Sequence, residues 1–273
     1  MQIWEGILLG LLQGITEFLP VSSSGHLVLM QILLGAEGAE GAVEQAVLHL
    51  GTLFAVLIYF WKSLLQILQA TLRGLTNPRK AWSEDSHFRL ATVIALASLP
   101  AGGIGWFFQD SIEALFRDPV LVSAALIGTG LAVLSTRWVG RGEIAEVGVL
   151  SGFGIGVAQA VAILPGVSRS GTTIACARWL GVCEEEAGRF SFLLSIPVVA
   201  GAGGIKLVGL LTEPDLGALW VPLGLGALVA LGSGLLALHL LLGLVRRRQF
   251  WIFGPYCLVL GVVGIVGLSF GGG

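Results

Sequence analysis

Six apolar runs dominate the chain, at residues 43–61, 88–108, 119–138, 186–207, 217–243 and 250–269. Each is about 20 residues long, which is what a helix needs to cross the hydrocarbon core of a bilayer. In lipid every backbone N–H and C=O must find a partner within the protein, and successive apolar runs achieve that as helices. The expectation is an all-α polytopic membrane protein. Composition agrees: 12% of the 273 residues are charged and 55% are hydrophobic, whereas about a quarter of a soluble domain is charged. The 41 glycines suit close helix approach in lipid. A net charge of −2 identifies no partner, and no nucleic-acid partner is expected. Cys176, Cys183 and Cys257 show neither metal-ligand spacing nor a pairing framework, so they read as packing residues. The N-terminus has no basic stretch and Glu17 interrupts its apolar run, so it is not expected to be a signal peptide.

The six runs leave two segments that are apolar yet interrupted. GLLQGITEFLPVSSSG, from Gly10, lines up with GVAQAVAILPGVSRSG, from Gly156, at a constant offset of 146. Gln13 falls on Gln159, Ser22 on Ser168, Ser24 on Ser170, Gly25 on Gly171 and Gly35 on Gly181, which marks an internal duplication. Each copy opens with two pieces too short to span separately, 3–19 with 23–35 and 146–164 with 170–181, joined at a Pro/Ser/Gly break. Each pair is expected to enter the membrane and return on the same side. Irregular backbone at that depth needs protein or a polar cavity around it.

Three full spans follow in each copy. Because three is odd, the second copy must be inverted relative to the first, as in many transporters. The expected architecture is two inverted-topology repeats, 1–139 and 144–273, each a re-entrant helix pair plus three transmembrane helices. That makes six full spans and ten helices.

Charge orients the bundle. With the first pair open to the outside, Lys62, Arg73, Arg79, Lys80, Arg89, Arg137, Arg141, Arg178, Arg189, Arg246, Arg247 and Arg248 become cytoplasmic, 12 of the 15 basic residues. The external loops then hold Arg117 and Lys206 with acidic Asp110, Glu113, Glu213 and Asp215. Both termini are external, and Arg169 is left inside the second break. Segment 62–87 reads as one polar, solvated loop.

Ser22, Ser23, Ser24 and Gly25 precede one short helix, and Ser168, Arg169, Ser170 and Gly171 open its counterpart. Serine caps helix starts well, and the free N–H groups there carry partial positive charge. Alone, such residues merely end and cap helices. Two such ends brought together, with an intramembrane arginine whose planar fork matches phosphate oxygens, point to an anion site. Thr16, Thr172 and Thr173 flank the breaks and are weaker candidates for capping or phosphate contact.

Gln13 and Glu17, four apart, share one helix face. A carboxylate beside an anion must be bridged by a divalent cation or neutralised by a proton, and Mg²⁺ accepts one or two carboxylates plus substrate phosphates. Ser23 and His26 are three apart across a helix start, within reach for a nucleophile and its base, or for a nucleophilic histidine. His49 and His239 lie in full spans with no acidic neighbour in sequence and read as helix–helix hydrogen-bonding groups. His87 sits at a loop boundary.

With QGITEFLPVSSSGH at 13–26, LPGVSRSGTTIA at 164–175 and RFSFLLSIP at 189–197, the sequence resembles the undecaprenyl-diphosphate phosphatase family, integral-membrane enzymes linked to bacitracin resistance. The likeness extends over essentially the whole chain. It implies removal of the terminal phosphate of undecaprenyl diphosphate, yielding undecaprenyl phosphate and inorganic phosphate and so recycling a lipid carrier for cell-wall synthesis. It implies dependence on a divalent cation, Mg²⁺ or alternatively Ca²⁺. It also implies a bacterial cell (inner) membrane location, with the headgroup entering from the periplasmic or external side.

By resemblance Glu17 is an acid/base or metal-binding residue, with Gln13 beside it. Ser23 is nucleophile or phosphate ligand, and His26 its base. Arg169, Ser168 and Ser170 clamp phosphate, with Ser22, Ser24, Gly25, Gly171 and Thr172 around them. Glutamine at 13 departs from family members that carry a second carboxylate there, which puts a two-carboxylate metal site in question. The choice of nucleophile among Ser23, His26 and metal-bound water stays open, as does homodimerisation.

Two other readings compete. A transporter or flippase of a lipid phosphate or anion fits inverted repeats, but has no need of Ser23 with His26. A phosphatidate-type phosphatase would carry a histidine where Ala175 stands.

Overall fold

A computed structural model describes residues 1–34, 42–210 and 220–271. Gly35, Glu213, Asp215 and the side chain of Lys206, all named above, lie outside the described residues. The helices in chain order are α1 (Ile3–Phe18), α2 (Ser23–Leu34), α3 (Ala42–Tyr59), α4 (Trp61–Gly74), α5 (Pro78–Glu84), α6 (Ser86–Phe107), α7 (Gln109–Leu115), α8 (Pro119–Ser135), α9 (Val149–Val161), α10 (Arg169–Trp179), α11 (Glu184–Leu210), α12 (Trp220–Arg246) and α13 (Phe253–Gly271). The described residues hold no strand beyond one isolated bridge between Ile144 and Val182.

Five helices are long and apolar enough to span: α6, α8, α11, α12 and α13. α3 joins them as the first half of a helix pair bent by 78° against α4. Its 18 residues reach about 27 Å at 1.5 Å per residue, close to the bilayer core. α1 and α9, with 16 and 13 residues, are shorter and each ends at a break followed by a second short helix, α2 or α10.

All ten expected helices are present, and α4, α5 and α7 are additional. Segment 62–87 is thus not a loop. Its leucines recur at helical spacing, and Asn77 and Asp85 cap α5 and α6 by accepting from the amides of Lys80 and of His87 and Phe88.

Close backbone contact builds the bundle. Gly10 of α1 lies against the backbone of Gly226 in α12, where a Cβ would overlap the carbonyl oxygen, and Gly156 of α9 lies in the same way against Ala97 in α6. Gly10 and Gly156 are the residues the duplication aligns. Phe18, Ile174, Phe190, Phe192, Leu193 and Leu194 are fully buried between these layers.

Most of the basic residues gather at one end of the bundle. Arg89 reaches Glu146 at 3.1 Å, Arg178 reaches Glu184 at 2.8 Å, and Arg248 joins Glu184 and the Val139 carbonyl. Arg246 reaches Glu185, and Arg137 stacks over Trp251. Arg178 is a buried staple, also donating to the Gly140 and Val182 carbonyls. The three cysteines are free, and buried Cys257 donates to the Pro20 carbonyl.

Candidate active site

The two breaks turn at different positions but end in the same cap. α1 ends at Phe18, and the chain turns through Ser22, whose φ of +64° is rare for a residue with a side chain. α9 ends at Val161, and its turn uses Gly166 at φ +87°, hard against the Val122 carbonyl, where only glycine fits. Ser22 Oγ then accepts from the Gly25 amide, and Ser168 Oγ from the Gly171 amide, each at 3.1 Å. Ser22 pairs with Ser24 at 3.1 Å, and Ser168 with Ser170 at 3.3 Å. The aligned residues make the same bonds, so each short helix has a serine N-cap.

The two tips meet. Ser24 Oγ accepts from the Gly166 amide at 3.3 Å, and Ser170 Oγ donates to the Leu19 carbonyl at 3.3 Å. Thr129 of α8 locks the second tip from behind, accepting from the Ser168 amide at 3.0 Å and donating to the Gly166 carbonyl. Among the described residues no hydrogen-bond acceptor faces the first-turn amides of Ser23, Ser24, Arg169 and Ser170. Both helix starts therefore keep donors and partial positive charge in reserve.

Glu17 is the hub of the polar cluster. Its Oε1 accepts from Arg169 Nη2 at 2.9 Å, across 152 residues of sequence. Its Oε2 accepts from Gln13 Nε2 and from Ser23 Oγ, both at 3.1 Å. The ion pair is largely enclosed, with 15% of the Arg169 side chain and 10% of the Glu17 side chain exposed. The guanidinium also lies over the Phe192 ring at 5.8 Å. Its Nη1 is buried without any acceptor. A buried guanidinium nitrogen with no partner costs free energy until an acceptor arrives, and phosphate supplies charged oxygens whose spacing suits the planar fork.

Several sequence expectations change in detail. His26 makes its hydrogen bonds elsewhere than to Ser23. Its Nδ1 bonds the Ser22 carbonyl at 2.8 Å and its Nε2 bonds the Tyr256 hydroxyl at 2.6 Å. The Ser22 carbonyl can only accept, so Nδ1 carries a proton, and in the neutral imidazole Nε2 then accepts from the tyrosine. The Ser23 hydroxyl donates to Glu17 instead. His49, read from sequence as a helix–helix group, places Nε2 3.6 Å from Glu17 Oε2, while its Nδ1 donates to the Gln45 carbonyl. Thr16 and Thr173 back-bond the Leu12 and Arg169 carbonyls within their own helices, and Thr173 also pairs with Ser191. Half-buried Thr172 gives its amide to the Ser168 carbonyl. His239 meets Tyr59 at 3.4 Å, and His87 lies 3.7 Å from Asp85, both away from the cluster.

Tyr256, Thr129 and the contact of His49 with Glu17 escaped sequence reasoning because each is made only through tertiary packing. A spacing of 20 or more residues to the partner leaves no local signature.

The cluster has the parts of a phosphoryl-transfer site: donors for phosphate oxygens and a hydroxyl on a carboxylate. Residues 6–263 match the family described as bacitracin resistance protein BacA. The chain belongs to this family. Similar proteins include the undecaprenyl-diphosphatase of Salinibacter ruber, 40% identical over 97% of this chain and 99% of that protein. That of Desulforudis audaxviator is 41% identical over 97% and 98%, and that of Desulforapulum autotrophicum 40% identical over 97% and 98%. These BacA-family relatives bear a phosphatase name, and none of them points to transport.

Proposed function

We propose that the chain hydrolyses undecaprenyl diphosphate to undecaprenyl phosphate and inorganic phosphate, at the meeting point of the two hairpin tips. One observation carries this reading: Arg169 spends one edge on Glu17 and keeps Nη1 buried and unpartnered. The terminal phosphate of the substrate accepts from Nη1 and takes further bonds from the two sets of helix-start amides. Ser22, Ser24, Gly25, Ser168, Ser170, Gly171 and Thr172 shape this cradle. Phosphoryl transfer needs positioning and charge neutralisation above all.

Ser23 is the nucleophile that the geometry favours over His26, because its hydroxyl already donates to Glu17. The Ser23 oxygen attacks the terminal phosphorus, its proton passes to Glu17, and undecaprenyl phosphate leaves. Water then breaks the serine–phosphate bond and releases inorganic phosphate. His26, fixed by the Ser22 carbonyl and Tyr256, lines the tip.

The donor set also fits a divalent cation, Mg²⁺ or Ca²⁺. Glu17 Oε2 would hold it through oxygen, joined by the carboxamide oxygen of Gln13 once that amide turns over from the orientation that gives Nε2 to Glu17, and His49 Nε2 faces the same carboxylate oxygen with its other nitrogen pinned to a carbonyl. When bound, the cation would offset phosphate charge.

The chain is further read as two inverted repeats, 1–139 and 144–273, in a bacterial inner membrane. The basic end is cytoplasmic and the site opens to the periplasmic side, as the positive-inside rule supports.

The test is phosphate release from undecaprenyl diphosphate by purified protein, with divalent cation and with chelator. Wild type should release phosphate only with cation, Ser23→Ala should be inactive, and His26→Gln should retain partial activity. Full activity in Ser23→Ala would remove the serine from the chemistry.

A further inference from the structure

We propose that α4 is a surface helix lying in the headgroup layer at the basic end of the bundle, where it binds an anionic phospholipid surface. The helix has three stripes, each about a third of its circumference. Leu64, Ile67, Ala70 and Gly74 face the protein: Ala70 is 1% exposed, Leu64 and Ile67 pack on the buried core, and Gly74 lies under the Phe88 ring. Trp61, Leu65, Leu68, Leu72 and the following Leu75 form a second stripe at i, i+4, i+7, i+11 and i+14, and these residues are 45–68% exposed. Lys62, Gln66, Gln69 and Arg73 form the third, fully outward.

No single solvent suits this helix. In water the second stripe would be a continuous exposed apolar ridge. In hydrocarbon the third stripe would place two charges and two amides in lipid. At the boundary both are satisfied, as in helices that lie in the membrane plane.

The bend says the same. α3 crosses, and α4 leaves it at 78°, which turns the axis from across the bilayer to along it. Exposed apolar residues flank the turn on both sides, Phe54 and Ile58 of α3 at 53% and 49% and Trp61 and Leu65 of α4 at 53% and 45%.

Charge selects the lipid. Between Trp61 and Asp85 lie Lys62, Arg73, Arg79 and Lys80 against Glu84 and Asp85, a balance of 4 − 2 = +2. Arg73 and Lys80 reach those carboxylates at 3.3 and 3.9 Å from exposed positions. Lys62 sits over the Trp61 ring, and Arg79 has no carboxylate partner among the described residues. Trp61 and Trp82, 53% and 39% exposed, supply rings of the kind that favour the headgroup level. Basic residues beside such a surface attract anionic headgroups.

The test uses the full chain in vesicles of phosphatidylcholine, with or without phosphatidylglycerol. Cys176, Cys183 and Cys257 are replaced by serine, spin labels are placed singly at 65, 68, 72, 66, 69 and 73, and phosphate release checks folding. Power saturation should show the oxygen-to-nickel collision ratio several-fold higher at 65, 68 and 72 than at 66, 69 and 73. Phosphatidylglycerol should deepen the first three, and Lys62→Gln with Arg79→Gln should remove that deepening. Equal nickel access at all six positions would overturn the proposal. So would exclusion of both reagents at 65, 68 and 72 with dipolar broadening between labels, the mark of a second copy on this face. Should the serine variant not fold, hydrogen exchange of the unmodified chain decides: backbone amides at 61–75 exchange more slowly when phosphatidylglycerol is present, and an unchanged rate contradicts the anionic preference.

Discussion

The first hairpin, α1 with α2, and the second, α9 with α10, share a serine cap and a glycine contact and differ in charge. Both cap their second helix with the same serine bond, and both seat a glycine against a neighbouring backbone. Yet Glu17 in the first stands where Ile163 stands in the second, and Ser23 where Arg169 stands. The duplicated frame supplies two polarised helix starts. The divergence supplies an acid and a hydroxyl from one side and a guanidinium from the other. Symmetry makes the cradle, and asymmetry makes the chemistry.

The difference is sharpest at the charged pair. Arg169→Ala should lower phosphate release by about 10³-fold or more, the scale of a guanidinium that neutralises a transferring phosphoryl group. The protein should remain folded by circular dichroism. Glu17→Gln should cost about 10²–10⁴-fold, as expected for loss of a positioned base. In contrast, the second hairpin's Ile163→Leu should leave turnover near wild type, because that position carries no chemistry.

His49 offers the next contrast. Mn²⁺ serves as a probe of the proposed cation site, and pulsed EPR should show nitrogen coupling in wild type that disappears in His49→Gln. Affinity should fall by about 10–100-fold, as when a metal site loses a supporting group. Persistent coupling would assign the nitrogen elsewhere.

The smallest effects concern the two glutamines that the duplication aligns. Gln13 is spent on Glu17, whereas Gln159 is 2% exposed with both carboxamide atoms unpartnered. A buried amide without partners costs about 1–3 kcal/mol. Gln159→Leu should therefore raise the thermal midpoint at unchanged turnover, while Gln13→Leu should lower turnover. A fall in stability for Gln159→Leu would mean that its carboxamide is satisfied by bound water.

Much of this was legible in the sequence, and the rest was hidden for physical reasons. Apolar run length set the spans, and the 146-residue offset located both breaks, because membrane crossing and duplication write themselves locally. Helix α4 was misread as loop since its lysine, arginine and glutamines masked the leucine stripe, although the period was there at 61, 65, 68 and 72. The pairing of Ser23 with Glu17 was hidden by His26, which is nearer the helix start in sequence. His26 is instead held by Tyr256, 230 residues away. His49 lacked any acidic neighbour in sequence, and only the packing of α3 beside α1 brings it to Glu17.

One measurement bears most directly on a single site shared by the two hairpins: a double-mutant cycle of Glu17→Gln and Arg169→Ala, read as kcat/KM for undecaprenyl diphosphate. Groups acting as one unit are strongly non-additive. The double variant should be no slower than the slower single variant. Losses that simply multiply would mean that the two residues work independently, and that the tips do not form one catalytic centre.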